Sequence, residues 1–355
     1  MDVSFRFAVR SDLGAVRTNN EDSALASSHM LVLADGMGGH AAGEVASTVA
    51  ARVFAEITDD PTADIRTQLT DAGRATRAAL EQMSAADPLL DSMGTTLLAV
   101  VSRNGTVTVG HIGDSRVYAL RGSALYQVTT DHTHVQRLID TGQLTVEQAR
   151  THPYRAMLLR SLDDQSDGPD LDVISVELEP DDRLLLCSDG LSDYLLPEQI
   201  GEMLACMDPG DAADALVAAA LAVGTRDNVT VIVADVVAEP ADDTDTAAGA
   251  VADPLHLSPA ASAALLQTLP TLEPFIAVED DAPDLDDAVA ENPEPARPAR
   301  SQAGSATVGS PAQAEPPAPV SPATPVDQPQ PNSLLPAGFA AGLMLIVAVA
   351  LWIIL

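Results

Sequence analysis

Five short acidic clusters are spread over the first 230 residues: Asn20-Glu21-Asp22, Asp35-Gly36-Met37-Gly38-Gly39-His40, Gly113-Asp114-Ser115-Arg116, Ser188-Asp189-Gly190 and Asp227-Asn228. Most of them end an apolar run, which is where a folded sheet brings carboxylates together. Carboxylates held close repel and raise one another's pKa, so a site that gathers them at neutral pH holds cations. An all-oxygen donor set favours magnesium or manganese over zinc or copper. A lone Asp-Gly pair after a strand is more often an ordinary turn. Here that reading would have to hold at Asp35 and Asp189 together with four other acids.

The elements that must position these acids follow from periodicity. Residues 30–34 form an apolar run short enough for a buried strand and deliver Asp35 to its end. Residues 43–56 and about 62–83 are Ala-rich with apolar positions at helical spacing, so strand, Gly-rich turn and helix follow in order. Residues 95–101, 106–112 and 116–120 read as β-branched strands, the first two separated by the turn Arg103-Asn104-Gly105. Residues 131–162 read as short helices and loops, 184–188 as a buried strand ending in Asp189, 197–207 and 211–222 as helices, and 229–237 as a closing strand. Strands in antiparallel-looking groups with helices between the groups point to an α+β fold rather than a doubly wound sheet.

Composition divides the 355 residues unevenly. Residues 1–239 alternate apolar runs with turn residues, whereas 240–333 are mostly Ala, Pro, Asp, Glu, Ser and Thr. Such a stretch buries too little apolar area to offset the entropy of ordering and is expected to be a disordered linker. Residues 334–355 carry no charge, and the last 20 would span roughly 30 Å as a helix, the thickness of a hydrocarbon core. A C-terminal transmembrane anchor is therefore expected. No apolar signal-peptide core precedes Arg6, so the N-terminal domain is expected on the cytoplasmic face of the cell membrane. The formal charge is −34 and all 18 basic residues are arginine, a balance that argues against nucleic-acid binding. Cys187 and Cys206 lack metal spacing, and Cys187, inside Leu184-Leu185-Leu186-Cys187, reads as a small core residue.

The order and wording of the clusters resemble the type 2C family of metal-dependent protein phosphatases, in its bacterial serine/threonine branch. The resemblance covers nearly all of residues 4–238. It rests on Ser11-Asp12-Leu13-Gly14, Arg17, Asn20-Glu21-Asp22 and Ala34-Asp35-Gly36-Met37-Gly38-Gly39-His40-Ala41-Ala42-Gly43-Glu44. It continues through Met93-Gly94-Thr95-Thr96, His111-Ile112-Gly113-Asp114-Ser115-Arg116, Cys187-Ser188-Asp189-Gly190-Leu191 and Asp227-Asn228-Val229-Thr230. The resemblance implies two packed antiparallel β-sheets flanked by helices, with two manganese or magnesium ions at one end of the sandwich. Asp35 would bridge both ions, with the Gly36 carbonyl completing one shell. Asp189 and Asp227 would hold the first ion, Glu21 and Asp22 would serve the second, and Asp114 would hold a weaker third. Asp35 has the two oxygens that bridging needs, and Gly36 lets the backbone approach a cation with no Cβ in the way. Arg17 would bind the substrate phosphate as a planar fork, and Asn228 would orient Asp227 or a metal-bound water. The implied activity is hydrolysis of phosphoserine and phosphothreonine by a metal-bridged water, with no covalent phosphoenzyme.

Two departures from the family pattern bear on this. Met37 stands where many eukaryotic relatives have histidine, so a metal-bound water is the expected proton donor, with His40 as the alternative. Ala156 stands where bacterial relatives often carry a polar residue, which weakens the third metal site. His132, His134 and His152 lack a zinc spacing and read as loop or supporting residues. Asp243-Thr244-Asp245 lies in low-complexity sequence and does not make a haloacid-dehalogenase site. A rival reading is a pseudophosphatase that scaffolds phosphoproteins at the membrane; lost metal acids would mark it, and all are present. Phosphorylated substrates of membrane serine/threonine kinases are the expected partners.

Overall fold

The computed structural model describes residues 3–38, 42–57, 62–165, 167–238 and 264. In chain order the elements are β1 (Ser4–Asp12), β2 (Asp22–Ala26), β3 (Met30–Met37), α1 (Ala42–Ala55), α2 (Ile65–Ala86), β4 (Gly94–Thr95), β5 (Leu97–Arg103), β6 (Thr106–Ile112), β7 (Arg116–Arg121) and β8 (Ala124–Gln127). They continue with α3 (His134–Asp140), α4 (Val146–Arg150), β9 (Leu162–Asp163), β10 (Asp172–Val176), β11 (Arg183–Cys187), α5 (Asp189–Ser192), α6 (Pro197–Cys206), α7 (Pro209–Ala222) and β12 (Val229–Val237). One sheet runs β1-β12-β11-β7-β8 and the other β10-β6-β5-β3-β4-β9 with β2 beside β3; the pairings are antiparallel.

The four-layer order can be read along single strands, because successive side chains point to opposite faces. In β3, Leu31 and Leu33 enter the layer between the sheets while Val32 and Ala34 pack under α1 and α2. In β12, Ile232, Ala234 and Val236 enter the same inter-sheet layer, and Val229, Val231 and Val233 pack under α6 and α7. Both strands are buried on both faces, so they read as continuous apolar runs rather than as alternation. Each fully buried Leu or Ile contributes about 2 kcal/mol.

The expected α+β sandwich is present, with two differences of detail. The stretch read as one strand over 95–101 is broken at Thr96 into β4 and β5, because Thr96 turns to hold Asp35. Strands β1, β2, β8, β9 and β10 have no counterpart in the sequence reading; polar residues such as Arg6, Arg10 and Ser23, which pair with Asp235, Asp214 and Ser47, interrupt the apolar pattern of the first two. Helix α2 starts at Ile65 because the Asp64 side chain accepts the amides of Arg66 and Thr67.

Among the described residues no helix is long and apolar enough to cross a membrane. The span expected over 334–355 lies outside them, as does the linker apart from Ala264, which packs against the α1–α2 core layer.

Candidate active site

The acids reach one place because each sits where a strand of the sandwich ends or begins. Asp22 opens β2 and pairs across the ladder with Asp35 near the end of β3. Asp189 follows β11, Asp227 precedes β12, and Asp114 lies in the turn from β6 to β7, which joins the two sheets. A cleft of about 240 Å³ is walled by Glu21, Asp35, Asp114, Asp189 and Asp227, and Arg17, Ala156 and Leu158 also line it. Asp22 is buried below this wall, where Ser188 Oγ donates to its Oδ2 at 2.9 Å.

Burial and mutual repulsion dominate the electrostatics. Asp35 is pushed well above the usual carboxylate range by burial and then by Asp22, Asp189, Asp114 and Asp227. Asp189 moves the same way through burial, then Asp114 and Asp193. Burial and Asp131 push Asp114 up to about 7, and burial pushes Asp22 up to about 6 despite the Ser188 hydroxyl. Burial also raises Glu21, against the opposing pull of Asn19 and Arg17.

Several neighbours hold the acids in place. The Asp35 amide donates to Thr96 Oγ1 at 3.0 Å, and Thr95 Oγ1 donates to the Asp35 carbonyl at 3.0 Å. Asn228 is buried; its Oδ1 accepts the Glu21 amide at 2.8 Å, and its Nδ2 donates to the carbonyls of Leu13 and Asn19. It therefore clamps the loop that carries Arg17 and Glu21, while its own amide donates to Asp227 Oδ1 at 2.9 Å. Arg17 lies across the mouth of the cleft, 2.8 Å from the Asp227 carboxylate and 3.3 Å from Glu21 Oε2. At Gly36 a Cβ would fall 2.0 Å from the Gly43 carbonyl oxygen, so close packing of the chain entering α1 itself demands glycine there.

The donor set suits hard divalent cations: carboxylate and carbonyl oxygens surround the cleft, and Asp22 Oδ1 is buried without a hydrogen-bond partner. Among the described residues no three acidic, histidine or cysteine side chains close into a preformed cage; the acids stand apart along the walls. Met37 lines the cleft and offers no titratable proton. His40 lies outside the described residues. His134, His152 and Tyr154 group their rings at 5.8 to 6.4 Å. Cys187 is buried and its thiol pushed up to about 12, so it is an inert core residue. Thr95 and Thr96 lie in the acid-free stretch Met93-Gly94-Thr95-Thr96 and Ser188 in Ser188-Asp189-Gly190, and none of the three carried a signal of its own for holding an acid.

Comparison with known proteins agrees with this geometry. The family model "Protein phosphatase 2C" matches residues 16–221. The serine/threonine protein phosphatase PstP of Mycobacterium tuberculosis is 46% identical over 233 residues, covering 65% of this chain and 45% of PstP. The chain thus spans less than half the length of that relative. The serine/threonine phosphatase stp of Listeria monocytogenes is 33% identical over 237 residues, covering 64% of this chain and 94% of stp. The crystal structure of the PstP catalytic domain in complex with two manganese ions superposes with a TM-score of 0.62 at 44% identity, covering 66% of this chain and 99% of that domain. With the sandwich, the acid-lined cleft and these matches together, the chain belongs to the protein phosphatase 2C family.

Proposed function

We propose that this chain is a metal-dependent phosphoserine/phosphothreonine protein phosphatase whose catalytic part, residues 1–239, is tethered to the cytoplasmic face of the cell membrane. The reading is carried by five acids and one arginine meeting on one cleft, with Asp35, Asp114 and Asp189 all raised above the usual carboxylate range. Such a group of acids is neutralised either by protons or by cations, and divalent cations do so near neutral pH. Asp35, the Gly36 carbonyl, Asp189 and Asp227 would hold one manganese or magnesium ion. Asp35, Glu21 and Asp22 would hold the second, and Asp114 a weaker third. When bound, the ions supply Lewis acidity and a water acidified to near-neutral pKa.

The chain's own residues do the rest. Arg17 presents a planar fork at the cleft mouth and can exchange its contacts with Glu21 and Asp227 for two phosphoryl oxygens. Thr95 and Thr96 fix the Asp35 peptide, so its carboxylate is preorganised rather than reoriented during reaction. Asn228 keeps the Arg17–Glu21 loop at a set distance from Asp227. Met37 supplies no proton to the leaving alkoxide, which leaves that task to water.

Purified full chain, given manganese and a phosphothreonine peptide, should release phosphate, and Asp35→Asn or Asp189→Asn should each abolish turnover. Absence of turnover, or turnover unchanged in both variants, would sink the reading; peptide binding without turnover would favour a scaffold. The tether would consist of residues 334–355 as a membrane helix and 240–333 as a coil. The 94-residue coil would extend roughly 50–60 Å, which suits substrates phosphorylated by membrane kinases.

A further inference from the structure

His132 lies between β8 and α3 with its side chain only 9% exposed. Its backbone and ring grip one residue of the acidic turn: the His132 amide donates to the Gly113 carbonyl at 2.8 Å, and Nδ1 accepts the Gly113 amide at 3.0 Å. Nδ1 is therefore the unprotonated nitrogen, and Nε2 donates to Asp172 Oδ2 at 3.0 Å on β10. The Arg160 guanidinium holds the other oxygen of the same carboxylate, with Nη2 donating to Asp172 Oδ1 at 2.8 Å. The His132 carbonyl accepts the Leu159 amide at 2.7 Å, and Thr133 bridges to Leu158, so the strap that carries Ala156 and Leu158 over the cleft hangs from the same residue. Behind it the buried ring of His111 stacks at 4.6 Å, with neither nitrogen hydrogen-bonded.

We propose that His132 is a positioning residue that locks the Gly113–Asp114 turn to the strap over the catalytic cleft. The proposal rests on the phosphatase reading only for the reaction it affects. Gly113 has φ +110°, and a Cβ there would lie 2.6 Å from Thr96, so this turn adopts a conformation in which a side chain cannot help hold it. The two His132 contacts supply that hold from outside the turn. Loosening them frees Asp114 and the Ala156–Leu158 wall together, although His132 is not among the residues that line the cleft.

The test uses His132→Asn, whose side-chain oxygen can take the Gly113 amide in place of Nδ1, and His132→Leu, which fills space without an acceptor. In the full chain, His132→Leu should lower kcat toward a phosphothreonine peptide about 10–100-fold, the range found when supporting partners of metal-site residues are removed. KM should change little, and the Gly113 amide should exchange with deuterium faster. His132→Asn should restore both kcat and Gly113 protection. Should His132→Leu fail to fold, Asp172→Ala, on a half-exposed side chain, is expected to shift kcat and Gly113 exchange in the same direction by a smaller amount. Unchanged Gly113 exchange and kcat in the folded variants would overturn the proposal, as would equal losses in Asn and Leu that follow melting temperature alone. A wild-type chain without turnover would instead count against the phosphatase reading, and Gly113 exchange would still decide the role of His132.

Discussion

Asn228 illustrates how a single side chain can matter to the site without reaching the cleft. Its three hydrogen bonds to residues 13–21 mean that Asn228→Ala would leave the buried Glu21 amide and two carbonyls unpaired. An unsatisfied buried amide costs about 1–3 kcal/mol, so the melting temperature should fall by roughly 3–10 °C, with kcat/KM falling as Arg17 loses its fixed place. Calorimetry and phosphate-release kinetics check both. His111 gives a second prediction, because burial first and then His132 and Arg160 depress its pKa to about 3, with Asp172 opposing. A depressed histidine binds protons more readily unfolded than folded, so its neutral burial favours the native state above about pH 6.5 and that advantage is lost as pH falls toward 3. Relative to wild type, His111→Leu should gain stability by about 1.4 kcal/mol for each pH unit below 6.5. Denaturant titrations at pH 7.5 and 5 would show it; a difference between the two proteins that is independent of pH would refute it.

At the scale of elements, α2 holds the exit from the strap in place. Arg77, buried in the middle of that helix, pairs with Asp163 at 2.5 Å and donates to the carbonyls of Ser161 and Pro169. One planar fork thus satisfies a carboxylate and loop carbonyls that would otherwise be stranded, which a lysine cannot do. Arg77→Met keeps the stem but leaves those groups unpaired, and should destabilise the protein by about 3–5 kcal/mol. Arg77→Lys should recover only a minor part of that loss, and urea titration of the three proteins measures both. The helical periods of α1, α2 and α7 were legible because Ala-rich apolar faces repeat along them. The role of Arg77 was not, because its partners lie 84 to 92 residues away.

For the whole molecule, the proposed tether makes its own prediction: removing residues 334–355 should move the chain from the membrane pellet to the soluble fraction with turnover of a small peptide unchanged. A truncated chain that stays with membranes would refute the anchor. Two sheets packed face to face bring to one end acids that the chain places up to 206 residues apart, from Glu21 to Asp227. The sequence by itself pointed to a cation site, because most of the acidic clusters end an apolar run, and to an α+β fold, because antiparallel-looking strand groups alternate with helices; the two-sheet sandwich and the sharing of acids between ions entered as what the family resemblance implies. Only the tertiary structure decided that Asp22 lies beneath the wall, that Arg17 rests on Glu21 and Asp227, and that Thr96 breaks a strand to hold Asp35. It alone also placed His132 where the acidic turn and the strap meet. Apolar periodicity is a local property of the chain and survives in the sequence. Hydrogen-bond partners, burial and the pKa shifts they cause exist only between segments that folding brings into contact.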